Sequence, residues 1–321
     1  FLLEKQADSI RFSNEILLHD AKSEAKAKTD KVIRFSLIGG ILLVFLSLVI
    51  VFSQLKNANK QKLVIESSKK HITDNINYAK KIQNTLLPDK STINNFFNEH
   101  FIFFHPKDIV GGDFYWFRCF DDLAVVACVD CTGHGVAGGF MSMLGSMLLD
   151  KIVQNDKMKP SQILEQLNSE IIRVLKQGSG GKIQDGMDLS ICILDKKKKK
   201  LLYSGARNGI CIIEDNKVKS YKGDMLPAGG SFSKKSREMN RDFTSQSIDL
   251  NENSWLIMYT DGYCDQLGGN KMRSMGNKKF KEILNLSILE NDKEKYLMKA
   301  FNDFKLQIPQ VDDLLVMGFK I

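Results

Sequence analysis

The chain has 321 residues, 43% of them hydrophobic, and a formal net charge of +8. That length allows one large core with additional segments. The positive charge gathers around residues 22–81 and in Lys196–Lys200, with no basic stripe interleaved with aromatics, so nucleic acid is not an expected partner.

In chain order, residues 1–34 read as a polar helix with a short apolar patch at Ile16, Leu17 and Leu18. The chain starts at Phe1, so this stretch is expected to be the end of an extracytoplasmic region of something longer. Phe35 to Leu55 is twenty-one residues without a charge. At about 1.5 Å per residue a helix of that length covers the roughly 30 Å hydrocarbon core of a bilayer. A single-pass transmembrane helix over 35–55 is therefore expected. Five Lys or Arg flank it on each side within twenty residues, so the positive-inside rule gives no orientation. All six cysteines follow the span, which agrees with a reducing cytoplasm on that side.

Residues 56–88 form the next segment. It holds no Gly or Pro before Pro88, and Ile65, Ile72, Ala79 and Leu86 recur every seven residues. That narrow stripe predicts a helical linker, suited to a two-helix coiled coil that would make the chain a homodimer, or to docking on the following domain.

Residues 89–321 alternate strand and helix patterns. Phe101–Phe104 reads as a strand, and Asp113–Phe120 with Leu123–Asp130 as a pair joined at Asp121-Asp122. Val136–Gln154 reads as a helix with Phe140, Met143, Leu144, Met147, Leu148 and Ile152 along one side. Pro160 opens a second helix, which Gly178–Gly181 is expected to end. A meander follows over Leu189–Leu194, Leu201–Ser204, Ile210–Ile213 and Val218–Tyr221, with Lys196–Lys200 and Asp215-Asn216 at turns. Trp255–Thr260 is a buried-type strand, residues 278–306 hold two amphipathic helices, and Leu314–Ile321 is a closing strand. The expected class is α+β, a four-layer α/β/β/α sandwich of two antiparallel sheets flanked by helices.

Chemistry concentrates in acidic motifs at strand ends. Asp113 lies in Val110-Gly-Gly-Asp-Phe-Tyr-Trp116, Asp130 opens Asp130-Cys-Thr-Gly-His-Gly135, Asp261 follows an apolar strand in Tyr259-Thr-Asp-Gly262, and Asp312-Asp313 precede the last strand. Carboxylates that converge repel one another unless a cation neutralises them, and hard Mn2+ or Mg2+ takes oxygen ligands. The Thr132-Gly133-His134-Gly135 turn can also expose the carbonyl of Cys131 to a cation held by Asp130. Cys128 and Cys131 form a C-x-x-C, but no second ligand pair follows at zinc-finger spacing. The Gly111-Gly112-Asp113 run has some likeness to a diguanylate cyclase hairpin, whose glutamate is missing here.

Together these motifs, with Ile82-Gln-Asn-Thr-Leu-Leu-Pro88, Phe140-Met-Ser-Met-Leu-Gly145, Gly186-Met-Asp188 and Gln310-Val-Asp-Asp313, make the segment from about Asn77 to Ile321 similar to SpoIIE-like phosphatases. These are a bacterial branch of the metal-dependent protein phosphatase 2C superfamily. The resemblance implies a binuclear Mn2+/Mg2+ centre with room for a third ion, and hydrolysis of phosphoserine or phosphothreonine on a regulatory protein, an anti-sigma-factor antagonist. It implies that Asp130 bridges the metals, that Cys131 gives a backbone ligand, that Asp261 and Asp312 are ligands with Asp313 assisting or orienting, and that Asp113 binds through water or a further ion. Asp130 and Asp261 are thus the expected catalytic centre. His134 is either the acid that protonates the leaving oxygen or a turn-stabilising residue, since relatives have a shorter Asp-Gly-His-Gly turn. Lys107 is a candidate for substrate phosphate, and Asp188 for a supporting carboxylate or a strand cap. The competing reading is a catalytically silent receptor with the same fold. The expected placement is the cell membrane, with the phosphatase domain cytoplasmic.

Overall fold

The computed structural model describes residues 2–177, 183–230 and 242–321. Two compact units divide the chain, 1–72 and 73–321. The first is helical: α1 runs from Leu2 to Thr85, and the residues up to Ile72 make up this unit. Its uncharged stretch is fully displayed, with Leu43 at 69% and Phe52 at 72% exposure. Among the described residues this is the one helix long and apolar enough to cross a membrane.

The second unit takes in Thr73–Pro88, which the sequence assigns to the linker, and so begins with the last turns of α1. Pro88 follows the end of that helix, and the Asp89 side chain caps α2 (Lys90–Phe96) by accepting from the Ser91 N–H at 3.0 Å. Then come β1 (His100–His105), β2 (Phe114–Phe120), β3 (Leu123–Cys131), α3 (Gly135–Ile152), α4 (Pro160–Val174), β4 (Gly186–Asp195), β5 (Lys200–Ala206), β6 (Ile210–Glu214), β7 (Lys217–Tyr221) and the short β8 (Ala228–Gly229). After them lie β9 (Gln246–Asp249), β10 (Trp255–Tyr259), α5 (Gly262–Asp265), a ribbon of β11 (Leu267–Gly268) with β12 (Arg273–Ser274), α6 (Gly276–Ser287), α7 (Lys293–Lys305) and β13 (Leu314–Lys320).

One sheet has the order β1-β13-β10-β6-β7, the other β2-β3-β4-β5-β9 with β8 beside β4. Every strand pair in them is antiparallel. The period-2 geometry of a strand sorts the side chains into layers. In β3, Ala124, Val126 and Cys128 point into the core between the sheets. Val125, Ala127, Val129 and Cys131 face the opposite way, onto α3 and α4. In β13, Leu315, Met317 and Phe319 join the same inter-sheet core, while Leu314 and Val316 pack with Phe280, Leu284, Leu297 and Phe301 of α6 and α7. Three cores separate four layers, so the α/β/β/α sandwich is present.

Turn chemistry matches the sequence in places. Asp215 and Asn216 both take positive φ, 47° and 58°, as a two-residue hairpin between β6 and β7 requires. The lysine run sits on the β4–β5 turn, where Lys197, Lys198 and Lys199 pair with Asp122, Asp195 and Glu252.

Three expectations are corrected or fall elsewhere. The four strands from β4 to β7 are not one meander: β4 and β5 belong to one sheet, β6 and β7 to the other. All four carry apolar faces, so composition does not show where the chain changes sheet. On α3, Phe140 and Met147 are exposed, at 69% and 60%, while the packed side runs through Met141, Gly145, Leu148, Leu149 and Ile152. The reason is close approach: a Cβ on Gly145 would lie 2.8 Å from both Phe114 and Met187. The helix thus turns Gly145 toward the sheet together with Met141, Leu148, Leu149 and Ile152, and leaves Phe140 and Met147 outside. The Gly178–Gly181 stop lies outside the described residues; α4 already ends at Val174.

Candidate active site

Strand parity carries the acidic residues to one end of the inter-sheet seam. Counting outward from the inner-facing positions of each strand, Asp113 continues Tyr115, Asp130 continues Cys128, Asp188 continues Cys192, Thr260 continues Met258 and Asp313 continues Leu315. Asp130 is directly opposite Asp188 in the β3–β4 register. Hydrophobic filling of the seam therefore gives way to carboxylates where the strands end.

Two tiers result. Asp130, Cys131, Asp188, Asp261 and Asp312 line a cleft of about 350 Å³ together with Thr132, Gly133, His134 and Arg207. Behind it, Asp113 and Asp313 are buried at 3% and 2% exposure. The Thr260 hydroxyl donates to Asp113 Oδ2 at 2.6 Å. Asp313 accepts three backbone N–H groups, from Lys107 at 2.7 Å, Gly112 at 2.6 Å and Asp113 at 3.3 Å. Its carboxylate therefore fixes the 107–113 loop. Asp113 likewise lies behind the cleft lining instead of in it.

The turn after Asp130 is also fixed. Thr132 closes onto Gly186, its N–H donating to the Gly186 carbonyl at 3.0 Å and its hydroxyl accepting from the Gly186 N–H at 3.1 Å. Gly112 is needed for proximity and not for a left-handed backbone: a Cβ there would stand 2.6 Å from the Gly133 carbonyl oxygen and 3.2 Å from that of Cys131. At Gly262 a Cβ would meet the Asp313 carbonyl oxygen at 2.0 Å, so the turn after Asp261 packs directly on the strand that brings Asp312. His134 caps α3 without a side-chain bond to the helix, and its Nδ1 lies 2.9 Å from Asp108 Oδ2.

Electrostatics mark this cluster apart. Burial first, then the charges of Asp113, Asp261, Asp312 and Asp188, push the Asp130 carboxyl up to about 10. Burial and the charges of Asp265 and Asp312 raise Asp261 to about 6, against a hydrogen bond with Asp130. Asp113 is driven well above the carboxylate range by burial, eased by Thr260. Asp188 is raised by burial and lowered by Arg207. Carboxyls gathered so closely resist ionisation, and a divalent cation is the chemical partner that reverses the resistance. Among the described residues no three His, Cys, Asp or Glu side chains are already drawn around one point. Asp130 and Asp261 bond to each other, and Asp312 Oδ1 accepts from the Asp313 N–H at 2.8 Å. The donor set is nonetheless all oxygen, carboxylates plus a backbone carbonyl, which suits Mn2+ or Mg2+.

Thr260, Asp108, Thr132 and Arg207 were not singled out by the sequence. Thr260 and Thr132 left a trace there, inside the Tyr259-Thr-Asp-Gly262 and Asp130-Cys-Thr-Gly-His-Gly135 motifs. Lys107, the sequence's candidate for phosphate, contributes its backbone N–H to Asp313 and is not part of the cleft lining.

Comparisons with known proteins agree with this fold. Residues 121–321 match the family described as stage II sporulation protein E (SpoIIE). No curated protein is matched. Among solved structures, the SiaA-PP2C domain of Pseudomonas aeruginosa is similar at a TM-score of 0.71 and 26% identity, covering 79% of this chain and 98% of that one. The PP2C phosphatase domain of SpoIIE from Bacillus subtilis, with a fragment of its regulatory domain, gives a TM-score of 0.55 at 19% identity, covering 70% of this chain and 63% of that one. The RsbU and RsbW domains of a Mycobacterium tuberculosis protein give 0.51 at 18% identity, covering 69% and 59%. The last two show shared fold.

Proposed function

The chain belongs to the SpoIIE family of PP2C-type protein serine/threonine phosphatases, and on that premise we propose that it is a metal-dependent, membrane-anchored enzyme that dephosphorylates a regulatory protein. The observation that carries this reading is the convergence of Asp130, Asp261 and Asp312 on one cleft from three separate strand ends.

Asp130, Asp261 and Asp312, with the Cys131 carbonyl, would hold a binuclear Mn2+ or Mg2+ centre. Ions bound there supply Lewis acidity toward phosphoryl oxygens and acidify water. The chain's own residues do the rest. Asp313 and Thr260 hold the loop that carries Asp113, so that the rear of the site does not shift when the cleft fills. His134, held by Asp108 at the cleft wall, would deliver a proton to the departing seryl or threonyl oxygen. Family membership supports an anti-sigma-factor antagonist as the phosphorylated substrate.

The exposed stretch from Phe35 to Leu55 supports a single span. All six cysteines are free and lie beyond it, which supports a cytoplasmic catalytic unit. The seven-residue recurrence of Ile65, Ile72, Ala79 and Leu86 supports a homodimer through the linker.

Release of phosphate from a phosphoserine protein, dependent on Mn2+ and abolished by Asp130→Asn and by Asp261→Asn, tests the reading. Activity surviving both substitutions would overturn it.

A further inference from the structure

A single Lys or Arg side chain stands among the described residues that line the acidic cleft, and it is Arg207. It lies where the chain leaves one sheet for the other, in the three residues between β5 and β6. Its φ is +58°, a left-handed conformation that a side-chain-bearing residue adopts only when its surroundings enforce it. The surroundings here do enforce it. The Arg207 N–H donates to the Asp224 carbonyl at 2.7 Å, and the Asp224 N–H returns to the Gly205 carbonyl at 2.8 Å. The Tyr203 hydroxyl donates to the Asn208 carbonyl at 2.7 Å, and the Asn208 amide donates to the Tyr259 carbonyl at 2.8 Å. The last bond ties the turn to β10, the strand that leads into Asp261.

The turn is therefore rigid, and it aims a guanidinium at the cleft. One of its nitrogens is 3.7 Å from Asp188 Oδ2, with the two side chains 38% and 39% exposed. At that length and exposure the pair is a loose electrostatic contact of small worth. A phosphate monoester that enters this cleft meets carboxylates on nearly every side, and its own charge is repelled by them. A planar guanidinium offers two parallel N–H donors that fit two phosphoryl oxygens, which an ammonium cannot match.

We propose that Arg207 is a substrate-binding residue for the phosphoryl group, making a two-point contact with phosphate oxygens in the cleft that it lines. The proposal rests on the phosphatase reading and adds to it the residue that recognises the phosphoryl group. Binding to a group common to all phosphoserine and phosphothreonine substrates makes the contact independent of the substrate's sequence.

The test uses the full chain in detergent with Mn2+, comparing wild type, Arg207→Gln and Arg207→Lys. KM and kcat are measured on a phosphoserine peptide, and inorganic phosphate is measured both as an inhibitor and as a calorimetric ligand. Thermal melting shows whether each variant is folded. Arg207→Gln should raise KM and weaken inorganic phosphate binding together, by about ten-fold or more, with a smaller change in kcat. Arg207→Lys should recover part of both. If Arg207→Gln melts too early to assay, the Arg207→Lys comparison decides alone: an unchanged phosphate affinity overturns the proposal. A lowered melting temperature or weaker Mn2+ response with unchanged phosphate affinity would show a structural role through Asp188 and also overturns it. A wild-type chain that hydrolyses no phosphoester with Mn2+ instead removes the phosphatase reading beneath it.

Discussion

The Gln83 side chain grips both backbone groups of Gly111. Its Nε2 donates to the Gly111 carbonyl at 2.7 Å, and its Oε1 accepts from the Gly111 N–H at 3.4 Å. The same Nε2 reaches the Ser142 hydroxyl of α3 at 2.7 Å. Gln83 is in the last turn of α1, and Gly111 directly precedes Gly112 and Asp113, two of the three residues whose amides Asp313 holds. One buried amide thus joins the helix end, the loop behind the cleft and the helix that follows Asp130.

Removing that amide leaves buried backbone groups without partners. Gln83→Ala should destabilise the catalytic unit by about 1–3 kcal/mol and lower kcat at a given Mn2+ concentration. Urea unfolding alongside phosphatase assays checks this. A variant with unchanged unfolding midpoint and rate would show that the contact has no role.

The raised Asp130 carboxyl has a definite sign in stability. Its ordinary value is 3.8 and the fold raises it to about 10. Stability from such a group is whole below the unfolded value and is lost as pH rises toward the folded one. Chelated protein should therefore melt at a higher temperature near about pH 5 than near about pH 9. Asp130→Asn should flatten that slope while abolishing activity, and Mn2+ should flatten it in the wild type. Melting curves in EDTA settle the matter, since an Asp130→Asn protein with the full wild-type slope would exclude Asp130 as its source.

Gly112 tests the closeness of the two loops. Its added methyl in Gly112→Ala would press on the Gly133 carbonyl at 2.6 Å, backbone that cannot swing aside. The expected result is a loss of about 1–3 kcal/mol and a weaker response to Mn2+, read by melting and by metal titration. Normal Mn2+ affinity in a destabilised variant would separate the loop contact from the metal site.

The linker stripe is checked by disulfide trapping. Ile72→Cys and Ala79→Cys, each placed singly, should give covalent dimers in oxidised membranes, since like positions of a parallel two-helix coil face one another. Monomer alone at both positions, under conditions that oxidise a control pair, would count against the homodimer.

Much of the architecture could be read from alternation. The β3 residues 124–131 alternate between two cores, and that alternation puts Asp130 on the inner face before any coordinates are known. The acidic motifs were legible because glycine and carboxylate stand together at strand ends. Asp108, Arg207 and the part played by Thr132 were not, because each acts through a partner far away in sequence: Asp108 on His134, Thr132 on Gly186 and Arg207 beside Asp188. The packed side of α3 was misjudged for a related reason. A hydrophobic stripe reports which side chains are large, whereas Gly145 is placed by how near Phe114 and Met187 come.

The pairing of Asp130 with Asp188 across β3 and β4 has a further consequence. If β3 slid by a single position, Asp130 would turn toward the helical layer and the Cys131 thiol would take its place. Whatever selects for turnover in this protein therefore also proofreads strand alignment, and a misthreaded molecule is mute as well as unstable.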